Sequence, residues 1–470
     1  MKILKLKNEK LYKTLFIVLI VLLFMPIVQN NIIHFNIKEL NGVTLETEKP
    51  KLSFETYKNG SFQRQFDTYL TEKVGFREFF IRTYNQYIWS CYTKTFNDNV
   101  SIGKDRWLYS TVNVRDHYQS LIYDVNFTNE RMTNKLDNEA LRLYKLQEIL
   151  KEYGVTLFIC MLPGKDYVFP EYLPQNNGFD KPEGVHAYDV LKENFKKYGN
   201  NHIDINQLFL NWKGNVDFPL FYKTCTHWSN IATVHSSDTI LRYMESLSGL
   251  NINNISIGKQ YRDKARKPDQ DLEELLNKAI FTPTVKYQYA EATIIPDSNA
   301  VKPKLIAIGD SFFWNMTYVL PMKDLFEYYH YWYYNSTVYF DQRYSNTSQF
   351  DLVSELLDSD FVMLSYCTAQ IYDLDRKFIN NALVRLCYDE DEIQERIGQV
   401  VTRMRNSEKW SAEIANKAKN SGRSVDEIMY EDAHYTVFHI PEEYFPELKG
   451  DEVPTKRSGH LLSLISSKTL

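Results

Sequence analysis

Gly309-Asp310-Ser311 lies between an apolar run, Leu305-Ile306-Ala307-Ile308, and the aromatic triplet Phe312-Phe313-Trp314. That order reads as strand, tight turn and helix start. A serine there carries its hydroxyl at the end of a buried strand and near the positive end of a helix, which is how α/β enzymes expose a nucleophilic serine. The hydroxyl is a weak nucleophile until a neighbouring base takes its proton. Among ten histidines, His227 is the best candidate for that base, in Lys223-Thr224-Cys225-Thr226-His227-Trp228-Ser229 at a loop-to-helix boundary. Together the two segments suggest acyl-ester chemistry. Each also has a plainer reading: Ser311 and Asp310 are both good helix caps, and a lone histidine at a helix start can cap it or satisfy a core contact. Acyl transfer further needs an oxyanion hole. The Ser311 backbone N–H is its natural first donor, and the second is not legible.

The elements that must position these groups alternate between helix and strand. Helical spacing covers 61–93, where Phe66, Tyr69, Leu70, Val74 and Phe76 recur, and 136–153, 186–198 and the stretch after His227 to about Leu247. Val155 to Met161, Leu305 to Ile308 and Asp360 to Tyr366 are unalternating apolar strands, with a short one at His202 to Ile205. Gly103 to Tyr109 reads as a turn entering a strand. Such strands, separated by helices, indicate a buried parallel sheet with helices on both faces. Sites in such sheets lie outside the strand carboxyl ends, where both Ser311 and the loop Leu162-Pro163-Gly164-Lys165-Asp166 fall. Lys165 is a candidate for meeting an anionic glycan, with a solvated loop lysine as the default. The run Phe326 to Tyr334 is the densest in aromatics. As a strand it would send half its rings to the core and half outward, the outward set, with Tyr333, forming a sugar platform. A sheet strand of amphipathic aromatics is the alternative.

Hydrophobic residues make up 44% and charged residues 24% of 470, which fits a folded body. The net charge is −5, while the first 13 residues carry five lysines against Glu9. A mildly acidic body argues against nucleic acid as the main ligand. Aromatics reach 15%, with 34 tyrosines. This suits stacking on sugar faces, and equally suits compositional drift that enriches Tyr, Phe, Asn and Lys together. Cys91, Cys160, Cys225, Cys367 and Cys387 are scattered and odd in number, so neither a zinc site nor a disulfide framework is implied. Leu15 to Val28 is an apolar run behind the lysines and ahead of Gln29-Asn30-Asn31. The basic flank orients the body to the exported side. The run is short for a span, which usually needs ~20 residues, and no small-residue cleavage signal follows it. An uncleaved anchor is favoured, with a cleaved signal as the alternative.

Four blocks, in order, carry a family resemblance. Gly103-Lys104-Asp105-Arg106-Trp107-Leu108 is similar to a "GKDGWLF" entry strand, and Pro163 to Pro174 to a proline-rich "PxK…YPEYLP" loop. Phe221 to Ser229 resembles a "YKTDTHW" block, and Ile308 to Phe312 the serine block. These are the marks of the AlgX/AlgJ family, SGNH-hydrolase-like proteins of alginate O-acetylation; the related DHHW proteins carry a similar histidine block. Here the histidine block precedes the serine, as in that family, whereas ordinary SGNH esterases have the reverse order. The resemblance covers roughly residues 65–385.

The resemblance implies a three-layer α/β/α fold and a Ser–His–Asp triad, with Ser311 as nucleophile, His227 as base and the aspartate two residues before it. That third position holds Cys225. A neutral thiol is a poor acceptor for the imidazole N–H and carries no charge. A weakened dyad, a carboxylate from elsewhere and a non-catalytic domain all stay open. The function implied is O-acetylation of an exported polysaccharide at the membrane, with a multi-spanning O-acyltransferase as partner and acetyl source, and with no cofactor and no nucleic acid. An acetylesterase and a glycan-binding scaffold are the alternatives. The expected layout is a basic flank and anchor in 1–30, a stalk and helical segment in 31–100, an SGNH-like domain in 101–387 with a β insertion near 251–300, and an accessory helical tail in 388–470.

Overall fold

The computed structural model describes residues 2–33, 37–42, 47–119, 129–174, 186–281, 286–340, 343–459 and 461. The chain forms two units. The smaller comprises Met1–Thr111, Lys223–Cys225 and Gln270–Val285; the larger comprises Val112–Tyr222, Thr226–Asp269 and Lys286–Leu470.

The larger unit is built on a seven-stranded sheet. In chain order its strands are β1 (Thr156–Leu162), β2 (His202–Asp204), β3 (Leu305–Gly309), β4 (Tyr329–Tyr333), β5 (Thr337–Phe340), β6 (Arg343–Asn346) and β7 (Phe361–Cys367). Their spatial order is β6-β5-β4-β3-β7-β1-β2. Strands β4, β3, β7, β1 and β2 run parallel, with Phe361 of β7 in register with Thr156 on one side and Leu305 on the other. The parallel sheet read from sequence is extended at one edge by β5 and β6, which pair antiparallel.

The strands lack polar alternation because both faces are covered. Leu157, Ile159 and Met161 of β1 enter one core with the helices Asn129–Lys151, Ala187–Tyr198 and Ile379–Cys387. Phe158, Cys160 and Leu162 enter the other with Ile205–Trp212, Asn230–Ser248 and Phe313–Val319. This is the expected three-layer α/β/α architecture. The same arrangement corrects the reading of the aromatic run as a sugar platform. Tyr331 and Trp332 point to opposite faces, and each lies in a hydrophobic core.

The segment at 251–300 contributes a hairpin of Asn254–Asp263 with Tyr287–Ile295. The tail forms three helices, Glu390–Asn406, Glu408–Ser421 and Val425–His439. Its apolar residues share the first core rather than standing apart from it.

In the smaller unit, helices span Lys2–Asn31, Phe54–Lys58, Ser61–Lys73 and Arg77–Tyr92, followed by a two-stranded sheet of Val100–Ile102 and Leu108–Ser110. A small core of Trp89, Val100, Leu108, Leu272 and Leu276 holds it together. The Leu108 N–H donates to the Lys223 carbonyl at 2.8 Å, and the Glu273 N–H to the Thr224 carbonyl at 3.2 Å, so residues 223–225 are built into this unit. Within Lys2–Asn31 the stretch Glu9–Gln29, 21 residues with a mean hydropathy of 2.5, is long and apolar enough to cross a membrane. The helix thus extends well beyond the apolar run that made the span look short.

Candidate functional site

Ser311 follows the carboxyl end of β3, between the ends of β4 and β7. Gly309 closes β3 because nothing larger fits: a Cβ there would lie 2.1 Å from the Ser365 carbonyl oxygen of β7. Asp310 is buried and holds the turn. Its Oδ1 accepts from the Phe312 N–H at 3.0 Å and its Oδ2 from the Cys367 N–H at 2.7 Å. The Tyr331 hydroxyl donates to its carbonyl. Burial pushes the Asp310 carboxyl up, and these N–H donors oppose that shift. Asp310 is therefore a structural acid that ties β3, β4 and β7 together beneath the serine.

His227 reaches the same place from the loop ahead of the helix Asn230–Ser248. Ser229 caps that helix by accepting from the Ala232 N–H at 3.2 Å. The His227 Nε2 lies 2.9 Å from the Ser311 Oγ, and its ring lies 4.8 Å from that of Phe312. Two buried side chains lock the blocks in this alignment. The Trp228 indole donates to the Phe312 carbonyl at 3.2 Å, and the Asn315 amide donates to the Trp228 carbonyl at 3.0 Å. Asn315 was not singled out in the sequence. Its one available signal is its place on the helix turn directly after the serine block. A hydroxyl within hydrogen-bond reach of an imidazole has the geometry of an activated nucleophile.

Cys225 is buried in the smaller unit, where its Sγ and a carboxylate oxygen of Asp271 lie within 4.8 Å of one another. An acid that sequence reading did not single out therefore stands beside the position where the family carries its aspartate. Lys165 is 1% exposed, and its ammonium donates to the Tyr222 carbonyl at 2.7 Å. It is an interior lysine, not one that a glycan in solvent meets. Its neighbour Asp166 is also buried, and accepts from the Asn113 amide at 3.1 Å. Tyr333 is half-buried at the end of β4, with its ring 4.5 Å from that of Tyr334.

Among solved structures, the O-acetyltransferase domain of Pseudomonas putida AlgJ is similar at 14% identity, over 58% of this chain and 92% of that one, with a TM-score of 0.37. Pseudomonas aeruginosa AlgX is similar at 13% identity, over 60% and 67%, with a TM-score of 0.36. Bacillus cereus PatB1 is similar at 10% identity, over 58% and 96%, with a TM-score of 0.36. No curated protein matches the chain. Residues 100–312 match the family model of the SGNH hydrolase-like domain of the acetyltransferase AlgX. All four sequence blocks that carry the resemblance lie inside that match, so residues 100–312 are similar to an SGNH hydrolase-like domain of the AlgX type.

Proposed function

We propose that this chain is an extracytoplasmic polysaccharide O-acetyltransferase that works through an acyl-enzyme on Ser311. The observation that carries this reading is the 2.9 Å approach of His227 Nε2 to Ser311 Oγ inside a segment that matches an acetyltransferase family. In the first half-reaction His227 takes the hydroxyl proton as Oγ attacks the acetyl carbonyl of a donor ester. The donor's alkoxide leaves with that proton, and the acetyl group stays on Oγ. In the second half-reaction a sugar hydroxyl attacks the acetyl-serine, His227 takes its proton and returns it to Oγ, and an acetylated sugar departs. The Ser311 N–H is the first oxyanion donor in this scheme. The acetyl donor is a multi-spanning membrane O-acyltransferase. The Glu9–Gln29 helix anchors the chain at the membrane, with the body on the side away from the cytoplasm.

A second reading, a non-catalytic glycan-binding subunit, is favoured by Cys225 at the position of the family's aspartate. The two separate in one experiment on the full chain in detergent, with p-nitrophenyl acetate as donor and with or without an oligosaccharide acceptor. Expected are ester turnover in the wild type, acetylated sugar when acceptor is present, and loss of about 10³-fold or more in Ser311→Ala and His227→Ala. Turnover that yields acetate alone at every acceptor concentration would make the protein an esterase. No turnover in any form would leave the binding reading.

A further inference from the structure

The larger unit contains a polar cleft of about 820 Å³ that the acyl chemistry does not use. Its size falls in the ~300–1,000 Å³ range of small-ligand clefts. It is walled by the helix Asn129–Lys151, the β4–β5 turn, the segment Asp373–Asn380 and the end of the helix Val425–His439. A second cavity of about 470 Å³ adjoins it and shares Asp375, Lys377, Asn380, Tyr435 and His439.

Three independent observations mark this cleft as a built site. Glu139 and Asn380 each line it at 3% exposure, and the Glu139 Oε2 and Asn380 Oδ1 have no hydrogen-bond partner among the described residues. Four non-glycine residues in its lining hold left-handed backbone: Tyr334 at φ 48°, Asn335 at 50°, Arg376 at 37° and Lys377 at 61°. Such conformations persist where surrounding structure enforces them, and they cluster at ligand clamps. The two strained turns are tied together, because the Asn335 amide donates to the Arg376 carbonyl at 3.1 Å. Finally, Tyr435 is 52% exposed at the mouth and stacks on His439 with ring centres 4.9 Å apart, which presents a flat aromatic face.

We infer that this cleft binds a segment of uncharged glycan, a few sugar units long. Vicinal hydroxyls need donors and acceptors side by side, and the lining alternates carboxylate, amide and guanidinium. The lining carries five cations against three carboxylates, but most of those cations are already paired: Lys135 lies within 3.3 Å of Glu139 and 3.6 Å of Asp373, Arg376 within 3.8 Å of Asp373, and Arg142 pairs with Glu442, which leaves little to hold a polyanion. One wall of the cleft is joined to the strand that carries the serine turn: the Tyr334 N–H donates to the Gly309 carbonyl at 2.9 Å, two residues before Ser311. The glycan held here is the acceptor chain, an assignment that rests on the acetyltransferase reading; the binding itself does not.

The test is calorimetry on full-length Ser311→Ala, so that no acyl chemistry intervenes. The probes are hexasaccharides of β-1,4-linked glucose, of β-1,4-linked N-acetylglucosamine and of a uronic acid. At least one neutral hexamer is expected to bind, with a 10-fold or greater loss in Tyr435→Ala and in Lys377→Ala. Both of those side chains are exposed, so the variants fold. Tyr344→Ala, at a still more exposed tyrosine outside the cleft, serves as the control and keeps full affinity. Binding unchanged in the two cleft variants, no neutral hexamer bound, or tighter binding of the uronate would each overturn the assignment. Failure of the acetyltransferase reading looks different: neutral glycan still binds through Tyr435, while the wild type transfers no acetyl group.

Discussion

Gly309 shows how closely the turn ahead of Ser311 is set. The Cβ that any other residue would bring lies 2.1 Å from the Ser365 carbonyl oxygen and 2.4 Å from its hydroxyl, so β3 and β7 must separate to admit it. Gly309→Ala is expected to cost ~1–3 kcal/mol or more as an overpacked core substitution. It should also lower turnover, because Ser311 is only two residues further on. Urea unfolding and ester kinetics on one preparation check both, and a fully stable, active variant would mean that the strand end is looser than drawn. Cys225 poses a different question. The simple expectation is that Cys225→Asp restores a missing triad member. Asp271, whose carboxylate lies within 4.8 Å of the thiol, complicates that repair. Two carboxylates so placed repel, and one is driven to keep its proton. A group whose folded pKa is raised above the unfolded ~3.9 costs nothing below that pH, and its penalty grows as pH rises. Cys225→Asp is therefore expected to melt like the wild type near pH 4 and to lose ~1–3 kcal/mol by pH 7, with Asp271→Asn in the same chain removing the loss. A pH-independent difference between the single and double variants would refute the pairing.

At the scale of elements, the strands were the legible part. Leu305 to Ile308 and Asp360 to Tyr366 lack alternation because helices cover both sheet faces, and this is visible in a single chain. The His227 and Ser311 blocks were legible for the same reason, as each sits where a strand or loop meets a helix. What was hidden is whatever depends on a partner distant in sequence. Lys165-Asp166 looks like a solvated loop by composition, yet both residues are buried. Asp166 and Asp116 lie with His117, His186, Tyr167 and Asp189 in one cluster, with Asp166 Oδ2 3.8 Å from the His117 Nδ1. Burial pushes Asp166 up to about 7 and His117 down to about 4. The signs oppose. Between about pH 4 and 7 the folded Asp166 holds a proton that the unfolded chain has released, so its contribution to stability falls as pH rises. Between about pH 4 and 6.5 the unfolded His117 holds a proton that the folded one lacks, so its contribution rises. The wild type should accordingly show a muted slope through that window. Asp166→Asn removes the first effect alone, and is expected to gain on the wild type by up to a few kcal/mol as pH goes from 4.5 to 7.5. Denaturant titrations at four pH values would show it. A gain that shrinks with rising pH would contradict the buried-acid account.

For the whole molecule, the tail decides what counts as a domain. Charge and helical spacing in 388–470 suggest an accessory appendage, because amphipathic periodicity reveals an apolar face without naming its cover. The cover here is the sheet's own helical layer. Ile393, Ile397, Val400, Met404, Ile414 and Val437 lie in the same core as Leu143, Leu364 and Leu383, all at 1% exposure or less. The tail is pinned by polar contacts too. Lys145, 2% exposed in the helix Asn129–Lys151, donates to the Leu448 carbonyl at 3.0 Å and to the Gly450 carbonyl at 2.6 Å. Each such apolar side chain is worth ~1.5–3 kcal/mol when buried, and domains are stable by only ~5–15 kcal/mol in all. Ending the chain at Tyr388 would strip these contacts and leave the Lys145 ammonium without its carbonyl acceptors. The truncated chain is expected to lose cooperative unfolding and near-ultraviolet dichroism while retaining helical signal, and to show no ester turnover even though Ser311 and His227 are present. A truncated chain that melts cooperatively and turns over ester would restore the tail to an accessory, and with it the view that the matched segment 100–312 and its immediate surroundings are self-sufficient.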